Sequence, residues 1–491
     1  MTFTLFSVAI IFLFVTIAAI EIYRANSRGY VKTLISLGSL LFSALFSLII
    51  SPILSGSATG LVMDLVVRPI REYKDMIRAY QSFDALIEAA VSGVLSAVVF
   101  VILFFIVKWI VSAIVSKILK SIVADANYSD NKVRSSFLEK NERLISTTLG
   151  VVCAVFITMV VTSPLMGALD VVGKGIRLAE TGSSTVWEDA GIYEYEVDDL
   201  EKYSNDIVGN IFYECGGKFL FRASARTEIY GKTVYLMNEI DTIEEVLHNF
   251  LDVYPILRNP SDATPEGINS LNTLRKNVYK LNLTRGIIAD YFSECSEAWL
   301  DGYLYFLIRK PTSRTPLEPL IDDVLNVCRY SDETNVQNNI STIIGVYVIM
   351  IETDIMSVSK MKPQEIMYAL EDRGIIDELD AELKNNPTML NIDSSALSVS
   401  LVKEYFKESG YGEVYDEFVE NITQSIISIQ QRGYSSAEER TTVMTSYMTK
   451  YLKTFDVQLP GKTIRDISGY VLKAFAGTTP TTEMVDSFFK E

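Results

Sequence analysis

Few residues of this chain could do chemistry, and their spacing settles most of the cases. His248 is the only histidine in 491 residues, which leaves no basis for His-ligated metal sites or for Ser-His-Asp and Cys-His catalysis. Four cysteines, with no C-x-x-C spacing, exclude a disulfide scaffold. Cys153 falls inside an apolar run, and Cys215, Cys295 and Cys328 allow at most one pair among them. Gly231-Lys232-Thr233 and Gly461-Lys462-Thr463 echo the end of a phosphate-binding loop. The upstream glycine of that loop is replaced by Arg226 and Asp456, so both read as ordinary turns. Ser357-x-x-Lys360 has the spacing of a serine nucleophile and its lysine base, but its partner motifs are missing in the right order. The one Ser-Asp-Asn triplet, Ser129-Asp130-Asn131, falls on the opposite predicted side of a membrane.

Acidic clusters at Glu194, Glu196, Asp198 and Asp199, and at Asp377, Glu378, Asp380 and Glu382, lack the spaced oxygen ligands and central glycine of a calcium loop. They read as solvated helix faces or helix N-termini. No catalytic residue, cofactor site or metal site is assigned, and the expectation is a protein that is not an enzyme.

The elements that would position any site divide sharply. Leu144 to Leu169 runs 26 residues without a charge, more than the ~20 needed to cross a bilayer as a helix. Three further runs precede it. Residues 2–20 and 33–54 are the first two crossings, and 89–108 is the third; the fourth is 144–169. The third opens with Ala89, Gly93 and Ala97, a small-residue stripe that permits close helix approach. It ends at Lys108 and Trp109, read as an anchor at the lipid headgroups, with an interfacial helix continuing over 110–123. Residues 60–88 contain no span; they read as an amphipathic segment interrupted at Pro69.

Charge sets the expected topology. Residues 1–170 carry net +3 and the remainder net −20, which together make the −17 of the chain. Arg24, Arg28 and Lys32 come after the first crossing, and six basic residues from Lys117 to Arg143 precede the fourth. Lysine and arginine concentrate in cytoplasmic loops, so both loops are expected inside, and the N-terminus and the acidic half outside. So acidic a half repels nucleic-acid phosphates, and no nucleic-acid partner is expected.

The first 170 residues resemble the colicin V production protein family, small bacterial inner-membrane proteins with about four crossings. The resemblance rests on the layout of spans and on IYRANSRGYVKTLISLGSLLFSALFSLI (Ile22 to Ile49). There a hydrophobic first helix enters a basic turn, Arg28-Gly29-Tyr30, and then a helix rich in small residues. Family members typically carry a glycine on each side of the basic pair; this chain keeps Gly29. The resemblance implies a plasma (inner) membrane protein tied to toxin production, secretion or other envelope processes.

After a linker at 176–192, residues 193–491 read as an acidic, mostly α-helical domain, with a possible sub-boundary at 310–319 where three prolines interrupt the pattern. Tyr411, Val414, Tyr415, Phe418, Ile422 and Ile426 fall on one helix face, as do Leu236, Ile240, Ile243, Val246, Leu247 and Phe250. A third amphipathic run extends from Leu283 to Trp299 and Leu300. Ser341 to Ile351, apolar but too short to span, is expected as a buried core helix. Strand is expected only within Lys218 to Tyr235, turning at Gly231-Lys232.

The fold class is therefore all-α, a four-helix membrane bundle succeeded by a helical domain. The expected function is an anchor or assembly factor whose partners are the lipid bilayer and a protein at the membrane or cell surface. The alternative is a transporter or channel subunit. Protease added to intact, wall-stripped cells is expected to remove residues 176–491; cleavage seen only after lysis would overturn the assigned topology.

Overall fold

In the computed structural model, residues 3–70, 74, 82–126, 141–186, 206–258, 263–294, 317–454 and 457–490 are described. The chain is all-α apart from one short hairpin. It forms two compact units. The first comprises Met1–Leu247 with Lys280–Ile287, and the second His248–Tyr279 with Ile288–Glu491.

Four long helices build the first unit: α1 (Leu5–Arg28), α2 (Tyr30–Val62), α3 (Phe83–Ala126) and α4 (Glu142–Val186). All four are long and apolar enough to cross a membrane. Thr4 caps α1, its hydroxyl accepting from the Phe6 N–H at 3.0 Å, while Ser7 reaches back to the Thr4 N–H. Between α1 and α2 the chain turns on one residue, Gly29, at φ 77°, a conformation cheap only for glycine. The basic turn seen in the sequence is thus a one-residue hinge. Helix α2 passes into a wider π turn at Met63–Val67, which ends just before Arg68-Pro69. The rest of the expected amphipathic segment, 71–73 and 75–81, lies outside the described residues.

The bundle is turned inside out relative to a soluble one. Leu5, Phe12, Ile53 and Trp109 are each more than 70% exposed. The buried positions of α2 include Ser39, Ser43, Ser47, Ser51, Ser55 and Thr59, a hydroxyl every four residues, and α2 packs along α3. Lipid tails are as apolar as leucine, so small residues that let backbones approach are what belongs inside. Ala89 and Ala97 of the expected small stripe are buried, and a Cβ on Gly93 would sit 3.5 Å from Leu236.

Beyond the bundle, helix α4 runs on through residues 176–186 of the expected linker; 187–192 lie outside the described residues. Small polar residues such as Thr181, Ser183 and Ser184 lower helix propensity without forbidding the helix, and no proline comes after Pro164 in this stretch. Residues 206–235 return to the bundle. Helices α5 (Ile207–Phe212) and α6 (Lys218–Ser224) and an antiparallel hairpin, β1 (Arg226–Ile229) with β2 (Lys232–Tyr235), form a cap on it. The hairpin turns at Tyr230-Gly231, both with positive φ, one residue earlier than the sequence suggested. That is the two-residue turn whose twist matches its strands. Lys218 to Ser224, expected as possible strand, is helical. The boundary between compact units accordingly falls at 247 rather than in the expected linker, because residues 206–247 pack on the bundle. Phe221 is fully buried with its ring against α4; a Cβ on Gly167 would lie 2.1 Å from that ring.

The second unit is helical throughout its described residues. Its centre is the helix Val336–Glu352, in which Val336, Val346, Tyr347 and Met350 are buried, as the apolar stretch there led one to expect. Helices Pro265–Val278 and Ile375–Lys384 pack on it. Gly345 leaves room for Arg275, which pairs with Glu382 at 2.5 Å and donates from Nε to Ser341 Oγ at 2.8 Å. The Tyr347 hydroxyl donates to the Ile256 carbonyl at 2.7 Å. A buried amide pair, Asn386 donating to Asn339 at 2.9 Å, extends to Ser331.

Helix Glu413–Arg432 buries Tyr415, Phe418, Ile422 and Ile426 as its spacing predicts, around Phe406 and Phe489. Tyr411 instead precedes the helix with positive φ, and Val414 is exposed. Leu236 and Ile240 are buried, while Ile243, Val246, Leu247 and Phe250 are only half-buried. Trp299, Leu300 and most of the expected sub-boundary lie outside the described residues.

The tightest backbone crossing in the bundle is at Gly150 of α4. A Cβ there would meet the Ile22 Cα at 3.0 Å and the Glu21 carbonyl at 3.1 Å, both backbone atoms of α1. Backbone cannot yield as a side chain does, so Gly150→Leu is expected to lower stability by about 1–3 kcal/mol. Thermal unfolding in detergent reads this as a lowered Tm; an unchanged Tm would contradict the crossing.

Candidate functional site

The motifs singled out by spacing do not converge. Ser357 Oγ donates to the Asp354 carbonyl at 3.0 Å within a local turn, and no base approaches it among the described residues. Lys232 of the first Gly-Lys-Thr lies on the hairpin and reaches Asn282 Oδ1 at 3.2 Å. Gly461 opens the helix Gly461–Ala474, and Lys462 pairs with Asp377. Asp377 and Glu378 occupy the first turn of Ile375–Lys384, as expected of a helix N-terminus. Ser129-Asp130-Asn131, the cluster at 194–199 and Cys295 lie outside the described residues. Among those described, Cys153, Cys215 and Cys328 are free thiols, and no group of three potential ligands could hold a metal.

The second unit does gather one titratable cluster. Asp466 faces Lys462, Asp377 and Asp380, and accepts from Ser398 Oγ at 3.5 Å. Burial pushes its carboxyl up to about 6, against the opposing pull of Lys462.

The charges of the first unit lie at the two ends of the bundle. At the Gly29 end, Lys108 turns inward rather than out to headgroups. Its Nζ lies 3.8 Å from Glu21 Oε1, which Arg24 contacts at 2.9 Å, and both Lys108 and Glu21 are largely buried. The anchor expected from sequence is therefore an internal ion pair, the long Lys108 side chain reaching across to Glu21 of α1. At the opposite end, Asp206 caps α5, accepting from the Val208 and Gly209 N–H groups, and also accepts from the Thr4 and Ser7 hydroxyls. Burial opposes its charge, but these donors hold its carboxyl below the usual range. Asp241 receives both Lys174 of α4 and Arg222 of the cap. Glu239, buried, accepts the backbone N–H groups of Asn282 and Leu283, and so fastens residues 280–287 to the cap.

Between α2, α3 and the hairpin lies an open groove of about 840 Å³. Its origin is a proline. Pro52 has no N–H, so the Leu48 carbonyl loses its partner within α2. Arg226 at the start of β1 replaces it, its Nη2 donating to the Leu48 carbonyl at 2.8 Å and reaching that of Ile49 at 3.4 Å. The Arg226 Nε is buried without a hydrogen-bond partner, and the guanidinium forms no ion pair among the described residues. One wall of the groove is apolar, with Ile49, Ile53 and Ala89; the rim carries Glu88, Glu228 and Thr233. Pro52 stands within the second apolar run, 33–54, where no break is expected from sequence. Arg226, far along the chain, gave no local signal that it would answer.

Fold and groove together define an all-α protein with four helices able to cross a bilayer and a cap packed against them, in which Leu220 reaches Leu40, Phe100 and Phe104. Compared with known proteins, the chain matches no family model, no curated protein and no solved structure.

The pH dependence of the second unit should report Asp466. A carboxyl raised from 3.8 to about 6 binds a proton in the folded state that the unfolded chain releases. Its contribution to stability is greatest below pH 3.8 and is lost as pH rises through 6. Asp466→Asn is expected to flatten stability across that window and to raise it at pH 8 by ~1 kcal/mol, after screening of a partly exposed group. Chemical denaturation at pH 4 and pH 8 measures it; an unaltered pH profile would exclude the assignment.

Proposed function

We propose that the chain is a non-enzymatic anchor or assembly factor of the plasma (inner) membrane, similar to colicin V production proteins and tied to toxin production, secretion or envelope processes. Its acidic helical part lies outside the cytoplasm and binds a protein partner at the membrane or cell surface. One observation carries this reading: charge in the bundle is confined to its two ends. From Leu144 to Leu169, and across 2–20, 33–54 and 89–107, there is no charged side chain. Leu40, Ala97, Phe100, Phe104 and Val160 fill the middle without exposure. Such a core supports holding something in place rather than passing a solute. The cap, joined through Asp206, Asp241 and Phe221, supports a bundle that offers a fixed surface for a partner to dock on.

A second reading, a transporter or channel subunit, draws on the hydroxyl line of α2. Ser47 and Ser51, with Ser96 of α3, are buried with no hydrogen-bond partner. Polar atoms left unsatisfied in a membrane interior are costly and are kept where they serve a passage. The two readings separate in one pair of measurements. Crosslinking in intact cells is expected to trap the full chain in a discrete complex with another protein, while the purified chain in proteoliposomes carries no ion or solute flux. Flux abolished by Ser51→Val, with no crosslinked complex, would replace the anchor by the transporter.

A further inference from the structure

We propose that the groove between α2, α3 and the hairpin binds one phospholipid of the surrounding bilayer, and that its headgroup is a phosphoethanolamine. The inference rests on the membrane-spanning reading of the four helices. The groove crosses the end of the apolar runs: Ile49, Pro52, Ile53, Ala89 and Ser92 lie within the crossings expected from sequence, and Gly56, Thr59 and Glu88 just beyond them. That is the depth at which acyl chains give way to phosphate.

Arg226 is the anomaly that calls for an occupant. A guanidinium at this depth pairs with a carboxylate or with backbone carbonyls, and only the first gives its charge a counter-ion. Here Nη2 meets two backbone carbonyls and Nε is buried without a partner, while Nη1 makes no hydrogen bond among the described residues and the side chain lines the groove. The phosphodiester of a lipid supplies the missing anion, in the geometry that guanidinium groups favour.

The rim then selects the headgroup. Glu88 and Glu228 flank the groove. Glu88 shares Arg68 at 3.8 Å with Asp84 and Asp64, and Glu228 is exposed and forms no ion pair among the described residues. Two carboxylates beyond one cation match a zwitterion whose phosphate lies inward and whose ammonium lies outward. A primary ammonium has three N–H donors for those carboxylates; a choline has none, and a glycerol headgroup brings no positive charge. The apolar wall at Ile49 and Ile53, both strongly exposed, takes the acyl chains.

Native mass spectrometry of the delipidated full chain in detergent tests this, with palmitoyl-oleoyl phosphatidylethanolamine, phosphatidylcholine and phosphatidylglycerol titrated separately. One phosphatidylethanolamine is expected to be retained, about five-fold tighter than either other lipid, the worth of one exposed ion pair. Glu228→Gln should bring phosphatidylethanolamine and phosphatidylcholine close together, and Arg226→Gln should lose all three. Arg226 also holds the hairpin, so Gly56→Phe provides a second variant. Gly56 has nothing within 4 Å of its Cβ position, and a ring there fills the groove while leaving the Arg226 bonds in place. It should abolish retention with an unchanged Tm. Equal retention of the three lipids, a preference for phosphatidylglycerol, or retention unaffected by Gly56→Phe overturns the proposal. Recovery of the chain in carbonate-washed membranes tests the membrane reading separately.

Discussion

A backbone carbonyl inside a bilayer needs a donor, and no water is there to provide one. That constraint bears on the first unit, whose four long helices are apolar enough to cross a bilayer. Helices satisfy it along most of their length. In α4, Pro164 frees the Val160 oxygen, to which the neighbouring Ser163 Oγ donates at 3.1 Å, and in α2, Pro52 leaves the Leu48 oxygen without its partner. The repair comes from outside the bundle, from Arg226 on the hairpin. The cap is therefore part of how the second helix tolerates its proline, which explains why residues 206–247 belong with the bundle rather than with the acidic half. The groove is the space that a proline-broken helix and a hairpin leave between them.

Long local signals were legible in the sequence, and long-range pairings were not. Four charge-free runs gave four helices, Gly29 gave the first turn, and the apolar stretch at Ser341–Ile351 gave the central helix of the second unit. Periodicity found Phe418, Ile422 and Ile426 because a helix face is written in spacing. Lys108 was misjudged because a lysine beside a tryptophan looks the same whether it faces headgroups or a glutamate on another helix. Glu239 and Asp206 were invisible for a related reason: each serves backbone N–H groups or hydroxyls far away in the chain. The linker at 176–192 was drawn from small polar composition, which lowers helix stability but did not outweigh the continuity of α4.

The second unit uses polar contacts differently. Arg275 with Glu382, Tyr347 with the Ile256 carbonyl, and Asn339 with Asn386 all sit among buried apolar side chains. Unmade, each would cost more than it contributes when made. Such contacts fix which helix faces meet, where leucine and isoleucine alone would tolerate several arrangements. Burial of Asn339 also removes it as a surface attachment point, although its sequence context, Asn339-Ile340-Ser341, is that of a glycan acceptor.

The contacts of Thr4 and Ser7 with Asp206 join positions 202 and 199 residues apart. They have a consequence for the order of events as the chain is made. The first helix leaves the ribosome long before Asp206 exists, so for that interval its polar start has no partner on the cap. Contacts of such separation in sequence form late, after the local helices and the Gly29 hairpin are in place. The first helix is thus clasped only after all four long helices are made, and a chain released before residue 206 would contain those four helices yet lack the clasp that joins the first of them to the cap.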